Sequence, residues 1–106
     1  MELKIIKSPT KGTLDILNKR LGLNAKGDIL EADALGLMQG KMIDMIHASD
    51  IAEKTAGVMV SDINGSCPQN MIMIAIWGDT SSVESAFDEI KRELGKEKTY
   101  ANWKTH

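Results

Sequence analysis

Val58-Met59-Val60-Ser61-Asp62-Ile63-Asn64-Gly65-Ser66-Cys67-Pro68-Gln69-Asn70-Met71-Ile72-Met73-Ile74-Ala75-Ile76-Trp77 reads as two strands joined by a short loop. The flanks are apolar, and the middle is made of Asn, Gly, Ser and Pro, which punctuate chains into turns. A hairpin or near-hairpin follows, with strands over Val58–Ile63 and Met71–Trp77. Its loop carries the only cysteine of the chain. A lone cysteine makes no intramolecular disulfide and no Cys-x-x-Cys metal site. If Cys67 binds a metal cluster, the remaining ligands must come from other copies of the chain, as in a ring whose axis passes near the loop. A small residue filling a turn, or a reactive surface thiol, is the commoner role of a single cysteine. Both readings stay open on spacing alone.

Upstream of the hairpin the pattern changes period. Met42 to Ala56 reads as the longest helix, with Met42, Met45, Ile46, Ser49, Ala52 and Ala56 along one stripe and Gly57 as C-cap. Before it, Ala34-Leu35-Gly36-Leu37-Met38 is evenly apolar, as a buried strand is, and Gly36 marks a close backbone approach. Asn24 to Asp33 is polar and reads as a loop. At the start, Leu3–Lys7 is a short strand ended by Ser8-Pro9. A short helix then has Thr13 as N-cap, Leu14, Leu17 and Leu21 at helical spacing, and Gly22 as C-cap. Downstream of the hairpin, Ser81 and Glu84 have the spacing of a capping box. Val83, Ala86, Phe87, Ile90 and Leu94 form the apolar face of a second long helix closed by Gly95. The tail 96–106 is polar, with Tyr100 and Trp103 as its anchors.

The order strand, helix, loop, strand, helix, strand, strand, helix, tail predicts an α+β domain. Its core is a ferredoxin-like β-α-β-β-α unit with helices on one face of a mixed sheet. The N-terminal strand and short helix must join that same sheet, because a lone strand cannot bury itself. One domain spans residues 1–106, with the N-terminal piece over 2–22, the core over 32–95 and the tail over 96–106. The length of 106 residues suits one modest core. The net charge of −2 gives no footprint for nucleic acid or an anionic membrane. The first residues are too short and too charged for a signal peptide, and no apolar run reaches transmembrane length. Lone-cysteine usage fits a reducing cytosol.

Several stretches together resemble a known family. Ala34–Lys41, the helix with Ala48-Ser49-Asp50, the hairpin with Gly65-Ser66, and Trp77-Gly78-Asp79 before Ser82–Ala86 are similar to the bacterial microcompartment shell domain. The resemblance covers roughly Ala34 to Leu94. In the ordinary family member a last strand and short helix follow the second long helix. Here Glu2–Pro9 with Thr13–Leu21 resembles that piece moved to the front. The chain thus resembles the circularly permuted shell proteins of propanediol and ethanolamine compartments. Gly65-Ser66-Cys67-Pro68-Gln69 further resembles the loop of permuted shell proteins from glycyl-radical-enzyme microcompartments.

That resemblance implies a homohexamer tiled beside neighbouring shell hexamers in a cytoplasmic microcompartment, with one loop per subunit around a central pore. It implies an iron–sulfur cluster of the 4Fe-4S kind, shared between subunits and bound by Cys67 thiolates. Asn64, Gly65, Ser66, Pro68 and Gln69 would shape the pore loop. Thiolate is the usual ligand of such clusters. A full ring offers more thiolates than a 4Fe-4S cluster needs. Electron transfer across the shell is one use of such a cluster. A structural plug, or cluster handling for the enzymes inside, is another. Lys41 is close to the lysine that mediates hexamer-edge contacts in the family, and its other reading is a solvated turn lysine.

The remaining residues point away from chemistry. His47 lies mid-helix beside Asp44 and Asp50, and its bland reading is a surface or packing residue. Met42, Met45, Met71 and Met73 read as core packing. No P-loop, dinucleotide fingerprint, His-Glu-x-x-His or nucleophile elbow is present, so an enzyme has little support. Two alternatives remain: a metal-free shell hexamer whose loop gates a metabolite pore, and a small ligand-binding or signalling domain that never tiles.

Overall fold

The computed structural model describes residues 1–22, 28–55, 57–65 and 71–95. Its elements are β1 (Glu2–Lys7), α1 (Lys11–Asn18), a 3-10 turn at Ile29–Glu31, β2 (Ala34–Lys41), α2 (Met42–Glu53), β3 (Val58–Ile63), β4 (Met71–Gly78) and α3 (Thr80–Gly95). Parts of the expected loop after α1 and of the Cys67 loop, together with Ala56 and the tail 96–106, lie outside the described residues.

The strands form one sheet in the order β1-β2-β4-β3. Every neighbouring pair is antiparallel. The expected mixed sheet is therefore corrected. β2 and β3 do run the same way, but β4 returns between them and takes up the hydrogen bonds that a parallel pair would have made. The N-terminal strand joins this sheet as expected, with Ile5 across from Gly36.

Side chains alternate across the strands and feed two cores. Ala34, Met38, Ile74 and Ile76 point to the face covered by α2 and α3, where they meet Met45, Ala48, Ala52, Val83, Ala86, Phe87 and Ile90. Leu35, Ala75 and Trp77 point to the other face and meet Leu14 and Leu17 of α1 and Ile29 of the 3-10 turn. The helices thus occupy both faces rather than one, because α1 crosses behind the sheet. This explains why β2 and β4 are nearly continuous apolar runs. Ile29, placed in a polar loop by its neighbours, is almost fully buried. Large buried side chains such as Phe87 and Ile90 each contribute on the order of 1.5–3 kcal/mol.

Helix ends differ from the sequence reading. The N-cap of α1 is Thr10, whose Oγ1 accepts the Thr13 backbone N–H at 3.2 Å, and the helix stops at Asn18, short of Gly22. Thr10 is extended (ψ 158°), as an N-cap must be, and it follows Pro9. α2 ends at Glu53, and Gly57 instead supplies a left-handed residue (φ +88°) that turns the chain into β3. The capping box at the start of α3 does not form. Asp79 Oδ1 accepts the Ser82 N–H at 2.7 Å and the Ser81 hydroxyl at 3.1 Å. Glu84 pairs with Lys7 at 3.1 Å in an exposed contact worth little.

Packing of α2 is also displaced. It buries Met45, Ala48, Ile51 and Ala52, while Met42 and Ile46 of the expected stripe stay exposed. Met71 and Met73 are half-buried. The apolar face of α3 is as expected, with Val83, Ala86, Phe87 and Ile90 buried.

Two glycines answer to sterics. A Cβ on Gly36 would sit 2.8 Å from both Ile76 Cγ1 and Phe87 Cζ. A Cβ on Gly78 would overlap the backbone carbonyl oxygen of Gly57, which has no rotamer to escape into. Gly36→Ala is expected to cost about 1–3 kcal/mol in a denaturant melt, the range of core overpacking, and Gly78→Ala more. Equal or smaller loss at Gly78 would show that the Gly57 turn yields.

The hydrogen bonds from Ser82 and Ser81 hold the Asp79 carboxyl below the usual carboxylate range. Its folded pKa is thus lower than its unfolded one. Its stabilisation is full above the ordinary aspartate value of about 3.9 and is lost as pH falls through the lower folded value. Asp79→Asn keeps the acceptor. It is expected to leave neutral-pH stability nearly unchanged and to flatten the acid limb of the stability curve. An unchanged acid limb would remove Asp79 from that account.

Candidate functional site

The Cys67 loop leaves β3 through Asn64 and Gly65 and returns at Met71. Cys67 itself, with Ser66, Pro68, Gln69 and Asn70, lies outside the described residues. The described site is therefore the base on which the loop stands.

That base is clamped by the residues that follow α1. Arg20–Gly22 lies antiparallel to the end of β3, with Leu21 opposite Ile63. The Asn64 N–H donates to the Arg20 carbonyl at 2.7 Å, and the Gly22 N–H donates to the Asp62 carbonyl at 3.1 Å. Ser61, the one polar side chain among the buried described residues, accepts from the Gly22 N–H at 3.2 Å and donates to the Asp62 carbonyl at 3.0 Å. A side chain at position 22 would run into the Asp62 carboxylate. Gly22, expected as a helix cap, thus serves this close approach. Asn64 is placed by this clamp, and Gly65 carries the chain on into the loop.

The charges around the base are cationic on two sides. A Cβ on Gly65 would lie 3.6 Å from Arg20 Nη1, so the guanidinium stands beside the loop's first turn. Arg20 and Lys19 line an open recess with Ile16, Asn64 and Gly65. On the other side Lys41, exposed at the end of β2, pairs in register with Met71, the first described residue after the loop. The Asp62 carboxylate stands at the same base, against Gly22. Among the described residues no group of three or more His, Cys, Asp or Glu side chains could hold a metal ion.

His47 does not join this site. It is half-buried on α2 and lines an open groove against α3 with Asp50, Lys54, Ser85, Glu89 and Glu93. His47 and Glu89 are both engaged in interactions of their own. Lys54 pairs with Asp50 at 2.8 Å, and the hydrogen bond raises the Lys54 pKa.

Sequence reasoning missed Arg20 and Ser61. Neither has a local signal, since the hydrogen bond that engages Ser61 spans 39 positions.

A family model for the BMC domain matches residues 34–104. The chain belongs to the BMC domain family. Among solved structures it is similar to the ligand-free GrpU microcompartment shell protein from Clostridiales bacterium 1_7_47FAA. The two are 48% identical over 94% of this chain and 99% of that one, with a TM-score of 0.72. It is also similar to the ligand-free GrpU shell protein from Pectobacterium wasabiae, at 31% identity over 85% and 99% of the two chains and a TM-score of 0.68. The fused permuted hexameric shell protein MSM0275 from the RMM microcompartment shares the fold at 19% identity, with 89% and 45% of the chains covered and a TM-score of 0.69. A comparison with curated proteins finds no match. The chain is thus a permuted BMC-domain protein like GrpU, with β1 and α1 preceding the matched domain.

Ser61→Ala removes an acceptor for the Gly22 N–H and is expected to cost about 1 kcal/mol. Hydrogen exchange should speed up at Gly22 and Asn64 while the β1–β2 amides stay protected. Uniform acceleration across the sheet would show that Ser61 supports the whole fold rather than the loop's base.

Proposed function

We propose that this chain is a structural subunit of a microcompartment shell, working as a cyclic hexamer with its Cys67 loops gathered at the ring axis. The carrying observation is the 48% identity to a GrpU shell protein over nearly the full length of both chains. The hairpin geometry supports it: β3 and β4 deliver the loop to one end of the sheet, where Arg20–Gly22 hold its base. The shell role is structural. No helix among the described residues is long and apolar enough to cross a membrane.

In this reading Asn64, Gly65, Ser66, Pro68 and Gln69 shape the pore, and Cys67 thiolates from several copies hold an iron–sulfur cluster of the 4Fe-4S kind. The donor chemistry fits, since thiolate is the standard ligand of such clusters. The cations Arg20 and Lys41 offset the negative charge of thiolates and cluster. Bound there, the group would supply one-electron redox chemistry between the two sides of the shell. The loop's resemblance to those of glycyl-radical-enzyme compartments supports such a pathway as the enclosed one. Lys41, across from Met71, stands at the loop's end of the sheet, and its hexamer-edge role is the other reading of this residue.

Anaerobic purification with iron and sulfide assays, run beside Cys67→Ser, tests the cluster. A brown wild type with broad absorbance near ~400 nm, lost in the variant, is the expected result. A wild type that stays colourless after anaerobic reconstitution overturns the cluster and leaves a shell hexamer whose loop lines a metabolite pore.

A further inference from the structure

The two arginines of the chain stand in opposite settings. Arg92, on α3, is paired with Glu89 and more loosely with Glu93. Arg20 has no carboxylate partner among the described residues. The sequence segments that continue from its surroundings, 23–27 and 66–70, contain no Asp or Glu. Its backbone is nevertheless fixed on both sides. The Arg20 N–H donates to the Leu17 carbonyl at 2.8 Å, and the Arg20 carbonyl accepts from the Asn64 N–H at 2.7 Å. A guanidinium rooted in this way loses less freedom on gripping a ligand than one on a loose segment.

Arg20 opens into a recess of about 530 Å³ that it lines with Ile16, Lys19, Asn64 and Gly65. That volume lies in the range of small-molecule sites. Among the described residues, the charged groups of its lining are Arg20 and Lys19, both cations. Asp62 stands at the base of the same loop but on the other face of the sheet. It sits across from Ile74, which packs under α2 and α3, whereas Ile16 and Lys19 belong to α1 and its C-cap. The geometry points to this recess as a binding site for a small oxyanion, a phosphate or carboxylate group carried by a metabolite. The guanidinium fork matches two oxygens of such a group, and Lys19 adds a second positive charge. Ile16, exposed at the rim, offers an apolar contact to the rest of the molecule. The site is built from one chain, so it needs neither the ring nor the cluster proposed above. Where the ring forms, one such recess stands at the base of each loop.

Isotope labelling of arginine alone gives one side-chain Nε–H signal for Arg20 and one for Arg92. The labelled protein is titrated with inorganic phosphate, and separately with acetate, at an ionic strength held constant with potassium chloride. The Arg20 signal is expected to move saturably with at least one of the two probes, while the Arg92 signal stays in place. Calorimetry gives the affinity. Arg20→Gln keeps the backbone bonds at the loop's base and removes the charge, and it should weaken binding at least about tenfold. Tighter binding of phosphate than of acetate identifies a phosphate head group, and the reverse a carboxylate. A linear drift of both arginine signals, no shift with either probe, or an affinity unchanged in Arg20→Gln overturns the site. Iron plays no part in the readout, so a colourless protein that still binds phosphate loses the cluster and keeps this recess.

Discussion

The pairing of β2 with β4 is the constraint on which the rest depends. Eight register pairs, from Ala34 opposite Gly78 to Lys41 opposite Met71, put two strands side by side in the middle of the sheet. Both are apolar on both faces, so both faces must be covered. α2 and α3 cover one, and α1 with Ile29 covers the other. The same pairing brings Lys41, the start of α2 and the return of the Cys67 loop to a single end. Site and scaffold are thus one arrangement.

Close approach makes the pairing possible. Gly36 leaves room for Phe87 over the sheet, and Gly78 accepts the carbonyl of Gly57 against its backbone. Both occupy positions where a Cβ would collide, and the density of protein interiors leaves little slack. The N-terminal piece contributes in two ways. β1 covers the free edge of β2. Arg20–Gly22 binds the end of β3 and carries a guanidinium to the base of the loop. In this permuted chain, the segment at the front therefore places a cation beside the base of the loop.

A shell subunit need not satisfy all its apolar surface by itself. α2 shows the consequence, with one side packed on the sheet and Met42, Ile43 and Ile46 turned outward. Exposed apolar patches of this kind mark interaction surfaces more often than accidents of composition. The sequence pattern expects Met42 and Ile46 on the buried stripe of α2, and periodicity alone does not separate an exposed apolar position from a buried one.

The sequence alone determined the element order, because helical and strand periodicities are local and Gly, Pro and Asn punctuate them. It also determined the buried character of β2, the apolar face of α3, the family resemblance, and the site candidate at Cys67. Only the tertiary structure decided the rest. It put β4 between β2 and β3, made every pair antiparallel, sent α1 behind the sheet and left Met42 and Ile46 of the expected α2 stripe exposed. It moved two helix caps, to Thr10 and Asp79, where the choice among nearby Ser, Thr and Asp hinges on backbone angles. It brought Arg20, Ser61 and Gly22 to the loop's base. Such contacts join residues some forty positions apart, and no pattern within a local window encodes them. They follow from which surfaces meet once the strands have paired.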